Sequence, residues 1–202
     1  MLRKVKNFVP EIIIFSFAFI IRFWHLELPP TYYFDEVYHA FTAEQMYKGN
    51  PAAWEWWNAN PPGFAYEWTH PPVAKEFMWF AISIFGDKPF AWRFFSALFG
   101  FGSIVLIYLI AKHLFNRRVA LLSSAVASLS GLLLVMSRIA MNDSYFLFFS
   151  LIAILMFLKD KKLLMGIFLG ISLASKWTAF YTVLVIGSLY VFKDILKNKF
   201  KI

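Results

Sequence analysis

The residue types best suited to moving a proton cluster early in the chain, in Phe34-Asp35-Glu36-Val37-Tyr38-His39. On a helix over residues 35–48, Asp35, His39 and Thr42 share one face by the i, i+4, i+7 rule, and Phe34, Val37 and Phe41 make the neighbouring apolar face. Asp35 and Glu36 then point about 100° apart, so the two acids need not share a task. Asp35 is either an N-terminal cap and dipole partner or a carboxylate held as a general base, and proximity to a substrate decides between them. Asp35 with His39 could also begin a metal site, but two ligands are a sparse set.

Three further groups carry charge in places that need a reason. Ser137-Arg138 and Asn142-Asp143-Ser144 sit at a junction between two apolar runs. A cation there either snorkels to the surface or offers its forked donors to phosphate oxygens. Trp92-Arg93 and Lys176-Trp177 admit the same two readings, interface anchor or anion contact. In Glu67-Trp68-Thr69-His70-Pro71-Pro72-Val73-Ala74-Lys75 the first proline disfavours helix before it and the second opens one, which holds His70 at a sharp corner. Gly166 and Gly170, in GxxxG spacing, read as a helix-packing notch.

The elements that must position these residues follow from composition. Of the 202 residues 60% are apolar and 16% charged, mean hydropathy is +0.59, and there is no Cys. That excludes a disordered tail, a disulfide scaffold and an ordinary soluble domain, whose surface needs more charge. Apolar runs long enough to span lie at 8–28, 90–114, 119–136 and 139–158, with shorter ones at 163–174 and 178–192. The expected fold is therefore an all-α integral membrane bundle of about six transmembrane segments. All 202 residues form one membrane domain, and a helical outer loop at 27–88 separates the first two spans.

Charge sets the orientation. With the N-terminus cytoplasmic, 13 of the 20 Lys and Arg fall inside, among them Arg3, Lys4 and Lys6, with only Glu11, Asp160 and Asp194 of the 12 acids. The formal +8 thus divides into about +10 inside and −2 outside, which is topology and not a nucleic-acid footprint. The basic start followed by an apolar run has no small-x-small cleavage site, so it reads as an uncleaved anchor. The outer loop is too aromatic for disorder, and helices are expected in it at 35–48, stopping at Gly49-Asn50-Pro51, and at 71–85, stopping at Gly86. Trp24, Trp54, Trp56, Trp57, Trp68, Trp79, Trp92 and Trp177 all fall in this loop or near an outer helix end, as an interfacial belt or as stacking surfaces for a sugar ring or lipid headgroup.

Taken in order, these segments resemble the protein O-mannosyltransferase family, membrane glycosyltransferases of the GT-C superfamily that use dolichyl- or polyprenyl-phosphate-mannose. The match is carried by Phe34-Asp35-Glu36-Val37, His70-Pro71-Pro72-Val73-Ala74-Lys75, Trp92-Arg93-Phe94-Phe95-Ser96-Ala97-Leu98-Phe99-Gly100, and Ser137-Arg138-Ile139-Ala140 with Asp143-Ser144, with Ser175-Lys176-Trp177-Thr178 as a shorter echo. The resemblance implies a GT-C type bundle and inverting transfer of mannose from a lipid-linked phosphate donor to a Ser or Thr hydroxyl of an acceptor protein, on the outer face of a prokaryotic cell membrane. It implies Asp35 as catalytic base and Glu36 as the residue orienting acceptor or loop. Arg138 would hold the lipid phosphate, and His70 and Lys75 would line the donor headgroup site, with Arg93, Asp143 and Lys176 as further substrate contacts. No metal or other cofactor is implied.

Two departures from the family pattern stand out. Many members carry an acid two positions before the His-Pro-Pro histidine, where this chain has Trp68, with Glu67 one step further. Members also continue through further spans, so a fragment, or one half of an enzyme completed by a second polypeptide, is expected. Two rival readings remain at this point. One is a GT-C transferase that moves another lipid-linked sugar, such as aminoarabinose, to a lipid. The other is a non-catalytic membrane subunit or transporter fragment.

Overall fold

A computed structural model describes residues 8–55 and 57–200, with side chains as far as 192. Arg3, Lys4, Lys6 and Trp56 lie outside the described residues, as do the side chains of the cationic C-terminal residues. The described chain is helical, with no strand. In order come α1 (Val9–Phe23), a 3-10 turn (Phe34–Val37), α2 (His39–Tyr47), a second 3-10 turn (Pro51–Trp54), α3 (Val73–Phe85), α4 (Pro89–Leu114), α5 (Arg117–Leu129), α6 (Gly131–Arg138), α7 (Asp143–Leu158), α8 (Lys162–Leu173), a third 3-10 turn (Trp177–Ala179) and α9 (Phe180–Phe200).

Each expected apolar run is helical, but several boundaries move for local reasons. The run at 119–136 is not one rod. Ser130 leaves the helical region and accepts the Leu133 N–H at 3.5 Å, so α5 and α6 meet at a 60° bend. The segment after α6 starts its helix at Asp143 rather than at 139, because Ile139 is extended and the Ala140 N–H is given to the Glu36 side chain in the loop between α1 and α4. The first helix ends at Phe23, and residues 24–31 follow as turns and bends. Among the described residues one helix, α4, is by itself long and apolar enough to cross a membrane, and the bent pair α5–α6 qualifies only when taken together.

α4 is the central post, packed against α1, α3, α5, α6 and α7. Its small residues let neighbours come close. A Cβ on Gly100 would lie 2.2 Å from the Ser137 Cβ, and one on Gly102 would lie 2.5 Å from the Phe148 ring. The notch expected at Gly166 and Gly170 has no such neighbour, since nothing described lies within 4 Å of either Cβ position. The core joins Met78 and Ile82 of α3, Trp92 and Phe99 of α4, and Tyr145 and Phe149 of α7. Phe77 and Phe99 meet edge to face at 5.1 Å, and Phe99 stacks on Phe148 at 4.7 Å. Trp92 belongs to this core at 6% exposure and not to a surface belt, whereas Trp24, Trp57 and Trp177 stay exposed.

The helix expected at 35–48 divides in two. Asp35 lies on the one-turn 3-10 segment, Tyr38 breaks the run, and His39 opens α2, so the three polar residues do not share one helix. Gly49, at φ +69°, ends this part in a conformation glycine adopts without strain. α3 starts two residues later than expected, at Val73, whose N–H reaches across to the Ala174 carbonyl at 3.1 Å.

Candidate active site

One carboxylate in the loop between α1 and α4 meets the bundle at several points. Glu36 accepts from Arg93 Nε at 2.7 Å and Nη2 at 2.7 Å, from the Ala140 N–H at 2.8 Å and from the Tyr33 N–H at 2.9 Å. Both side chains are at 0% exposure. Arg93 also donates to the carbonyls of Leu26, Pro29 and Thr31. These contacts saturate a buried pair and explain its survival in an apolar setting. They also correct the expectation that Arg93 contacts substrate, because no donor is left for a phosphate. Both Glu36 carboxylate oxygens are engaged in these contacts.

Asp35, one residue earlier, is in the opposite condition. It is partly exposed, and its carboxylate makes no hydrogen bond or ion pair with a described residue. Phe34 before it is held at φ +57°, a left-handed conformation that costs a non-glycine residue about 1 to 3 kcal/mol and that the Glu36 anchor enforces. Asp35 opens onto a cleft of about 360 Å³ lined also by Tyr38, His39, Ala65, Tyr66, Glu67, Trp68 and Thr69.

Behind that cleft Glu67 is the hub that sequence reading passed over. Its carboxylate accepts from Lys75 Nζ at 2.5 Å, from the His70 N–H at 3.0 Å and from the Thr69 hydroxyl, and lies 3.1 Å from His70 Nδ1 and 3.6 Å from His39 Nδ1. Its own N–H donates to the Thr42 hydroxyl at 2.9 Å, which donates in turn to the Tyr38 carbonyl. Burial alone would raise the Glu67 pKa. The His39 contact and the Lys75 charge and hydrogen bond outweigh burial and hold the carboxylate below its usual range. Burial lowers the pKa of Lys75, with Glu67 opposing it.

Lys75 is therefore not the surface contact its motif suggests. At 2% side-chain exposure it is enclosed beneath the cleft, and it also donates to the His70 carbonyl at 3.1 Å. His70 remains at the edge, its ring set edge-on to His39 at 5.7 Å. One sequence signal did point to Glu67. A lysine destined for burial on α3 requires an acid within reach, and Glu67 precedes it by eight residues.

Arg138 is half-buried and spends part of its fork on the backbone. Nη1 donates to the carbonyls of Ile21 and Arg22 at 2.7 and 3.2 Å and Nη2 to His25 at 3.3 Å, so both terminal nitrogens close the open C-terminal end of α1. Lys176 and Asp143 meet as a pair, with Nζ 2.9 and 2.8 Å from the two carboxylate oxygens. The neighbouring Trp177 donates from its indole to the Thr69 carbonyl at 2.8 Å, which joins this pair to the wall of the Asp35 cleft. Asp143 also lines a mostly apolar cavity of about 200 Å³ among α4, α6 and α7, with Gly100, Ile104, Leu132, Leu133 and Met136. Among the described residues no three His, Cys, Asp or Glu side chains gather in a metal-binding group.

Comparison with known proteins places these features in context. Residues 12–199 match the family model described as dolichyl-phosphate-mannose-protein mannosyltransferase. The chain is similar to a polyprenol-phosphate-mannose–protein mannosyltransferase of Corynebacterium glutamicum, 28% identical over 93% of this chain and 42% of that protein. A Mycobacterium tuberculosis protein of the same description is 26% identical over 74% of this chain and 35% of the relative. Dolichyl-phosphate-mannose–protein mannosyltransferase 1 of Candida albicans is 27% identical over 87% of this chain and 22% of its own length. The chain thus spans less than half the length of these relatives.

Proposed function

The chain belongs to the dolichyl-phosphate-mannose-protein mannosyltransferase family, a family of membrane-embedded proteins, and on that footing we propose that it takes part in transferring mannose from a polyprenyl-phosphate donor to a Ser or Thr hydroxyl of a protein, with inversion. The observation that carries the reading is the unpartnered carboxylate of Asp35 at an outer-loop cleft, beside an acid of the same loop that is fully committed to structure.

In the proposed step Asp35 accepts the proton of the acceptor hydroxyl as its oxygen bonds to the anomeric carbon. The bond from that carbon to the phosphate oxygen breaks on the opposite face, and the lipid phosphate leaves with the electron pair. Lys176 takes the anion-contact role expected of Arg138. It is partly exposed, its ammonium is already aimed by Asp143, and Trp177 ties it to the cleft wall. Glu67 fixes that same wall through Thr69 and His70, while Glu36 and Arg93 hold the turn that carries Asp35. The mechanism draws on these side chains and uses no metal.

The proposal places the chain in a bacterial cell membrane, in keeping with its bacterial relatives, with six membrane-crossing segments formed by α1, α4, the bent pair α5–α6, α7, α8 and α9. The N-terminus is cytoplasmic and the Asp35 cleft faces outward, which puts the cationic connections inside. The test is transfer of radiolabelled mannose from a polyprenyl-phosphate donor to a Thr-containing peptide in proteoliposomes. Asp35→Asn is expected to lower turnover by about 10² to 10⁴-fold with the protein still folded. Full turnover by that variant overturns the assignment.

A further inference from the structure

The segment that joins α1 to the Asp35 turn is fixed through its backbone and leaves its large side chains uncovered. Arg138 donates to the carbonyls of Ile21, Arg22 and His25. Arg93 donates to those of Leu26, Pro29 and Thr31 and to the Glu36 carboxylate. Along the same stretch Trp24, Leu28, Tyr33 and Phe34 each leave more than half of their surface exposed.

Two residues of this stretch are strained. His25 at φ +49° and Phe34 at φ +57° hold the left-handed conformation that glycine adopts freely. Glycine at position 34 would relieve that strain, so the backbone gives no reason for a phenylalanine there. Nor does the fold use the ring, which is 61% exposed and meets no other ring among the described residues. A large apolar side chain that is held under strain and that the fold does not bury is matched by something beyond the chain.

What matches it follows from α1. Glu11, Ala18 and Arg22, with Leu26 just after the helix, make the buried stripe of that element, while Ile13, Phe17, Ile20 and Trp24 follow at helical spacing as an exposed apolar one. In a membrane-embedded family the neighbour of such a stripe is lipid. Leu28, Tyr33 and Phe34 come next in the chain after Trp24, and Trp and Tyr are the residues that favour the boundary between headgroups and acyl chains. The charges of the stretch, His25 and Glu27, meet each other at 3.1 Å and stay exposed, as the headgroup layer allows.

We infer that Phe34, with Tyr33, Leu28 and Trp24, seats the Asp35 turn in the bilayer surface. The partner is bulk phospholipid at the boundary between headgroups and acyl chains. The Asp35 cleft is thereby held at the depth of the lipid phosphates. The seating itself needs only a membrane-embedded chain. Its use rests on the transfer reading: a lipid-linked sugar reaches Asp35 while its hydrocarbon chain stays in the bilayer.

The test uses the full chain in lipid nanodiscs, where the lack of native Cys allows one fluorophore to be placed at a time. A nitrobenzoxadiazole group on Phe34→Cys is expected to be quenched by lipids with a nitroxide near the headgroup end of the acyl chain, and to be shielded several-fold from aqueous iodide. The same group on Phe17→Cys gives the deeper reference. Free quenching by iodide at position 34, with none from the lipid, overturns the inference. Mannose transfer is read on unlabelled protein. Phe34→Gly suits the left-handed backbone, so it should unfold no earlier than the parent. It should nevertheless lose about tenfold in kcat/KM for a long-chain polyprenyl-phosphate mannose in proteoliposomes, and nothing for a short-chain, water-soluble analogue. Phe34→Trp should keep both activities. An equal loss with both donors, or none with either, overturns the role given to the ring. Lipid quenching at position 34 in a parent that transfers no mannose supports the seating and counts against the transfer reading.

Discussion

Arg93 on α4 and Glu36 in the loop between α1 and α4, 57 residues apart, form a two-pronged pair with both contacts at 2.7 Å and neither side chain open to solvent. This pair carries the turn that presents Asp35, and it makes the loop and the bundle one unit.

Breaking the pair from one side leaves a buried charge uncompensated, at a cost of about 3 to 5 kcal/mol. Arg93→Met and Glu36→Gln alone are each expected to lose most of the monodisperse protein in detergent size-exclusion chromatography. Arg93→Lys should fail as well, because an ammonium cannot supply the fork and the three carbonyl contacts together. The double variant Arg93→Met with Glu36→Gln should recover part of the loss. A single variant as stable as the parent would show that the pair does not hold the loop.

Lys176 is held by Asp143 and tied through Trp177 to the cleft, so its loss should act on the donor. Removing a charge-assisted hydrogen bond costs about 1.5 to 3 kcal/mol, or roughly 10 to 150-fold in kcat/KM for the lipid-phosphate sugar. Lys176→Ala is expected to show that loss with an unchanged acceptor KM, and Lys176→Arg to restore part of it. A loss confined to acceptor KM would move Lys176 out of the phosphate site.

The Glu67 hub sets an acid limit on stability. Its folded carboxylate has a pKa held below the ordinary range, by the His39 contact and the Lys75 charge and hydrogen bond against the opposing effect of burial. Such a group contributes fully above its unfolded pKa of about 4.3 and loses that contribution as pH falls toward the folded value. Thermal unfolding followed from pH 7 to 3 should show Tm falling below about pH 4.5. Glu67→Gln should start lower at neutral pH and lack that part of the acid slope.

Gly100 can be tested by a cycle. Its Cβ position lies 2.2 Å from the Ser137 Cβ, so Gly100→Ala must push α4 and α6 apart, at about 1 to 3 kcal/mol. Ser137→Gly removes the opposing atom, and the double variant should regain most of the lost Tm. Strict additivity of the two changes would contradict the contact.

Local sequence determined what depends on local physics. Mean hydropathy and run length were enough to find each apolar helix, and Pro71-Pro72, Gly49 and Gly86 marked helix ends to within a residue or two. The loop between α1 and α4 was legible as a folded, aromatic, acid-bearing segment, and Asp35 stood out in it by type. Some breaks were not legible. The bend at Ser130 and the split at Tyr38 occur inside runs whose apolar pattern continues through them.

Which acid is free to act was decided only by tertiary structure. Asp35 and Glu36 are adjacent and chemically alike, and what separates them is Arg93 on α4 and the Ala140 N–H before α7, brought in from far along the chain. The same holds for the cations. Arg93, Lys75 and Arg138 read alike as anion contacts, until buried carboxylates engaged the first two and the carbonyls at the end of α1 took three of the five donors of Arg138. A charge in an apolar bundle must be matched where it lies, and the matching group is set by which helices pack together, which no local pattern records.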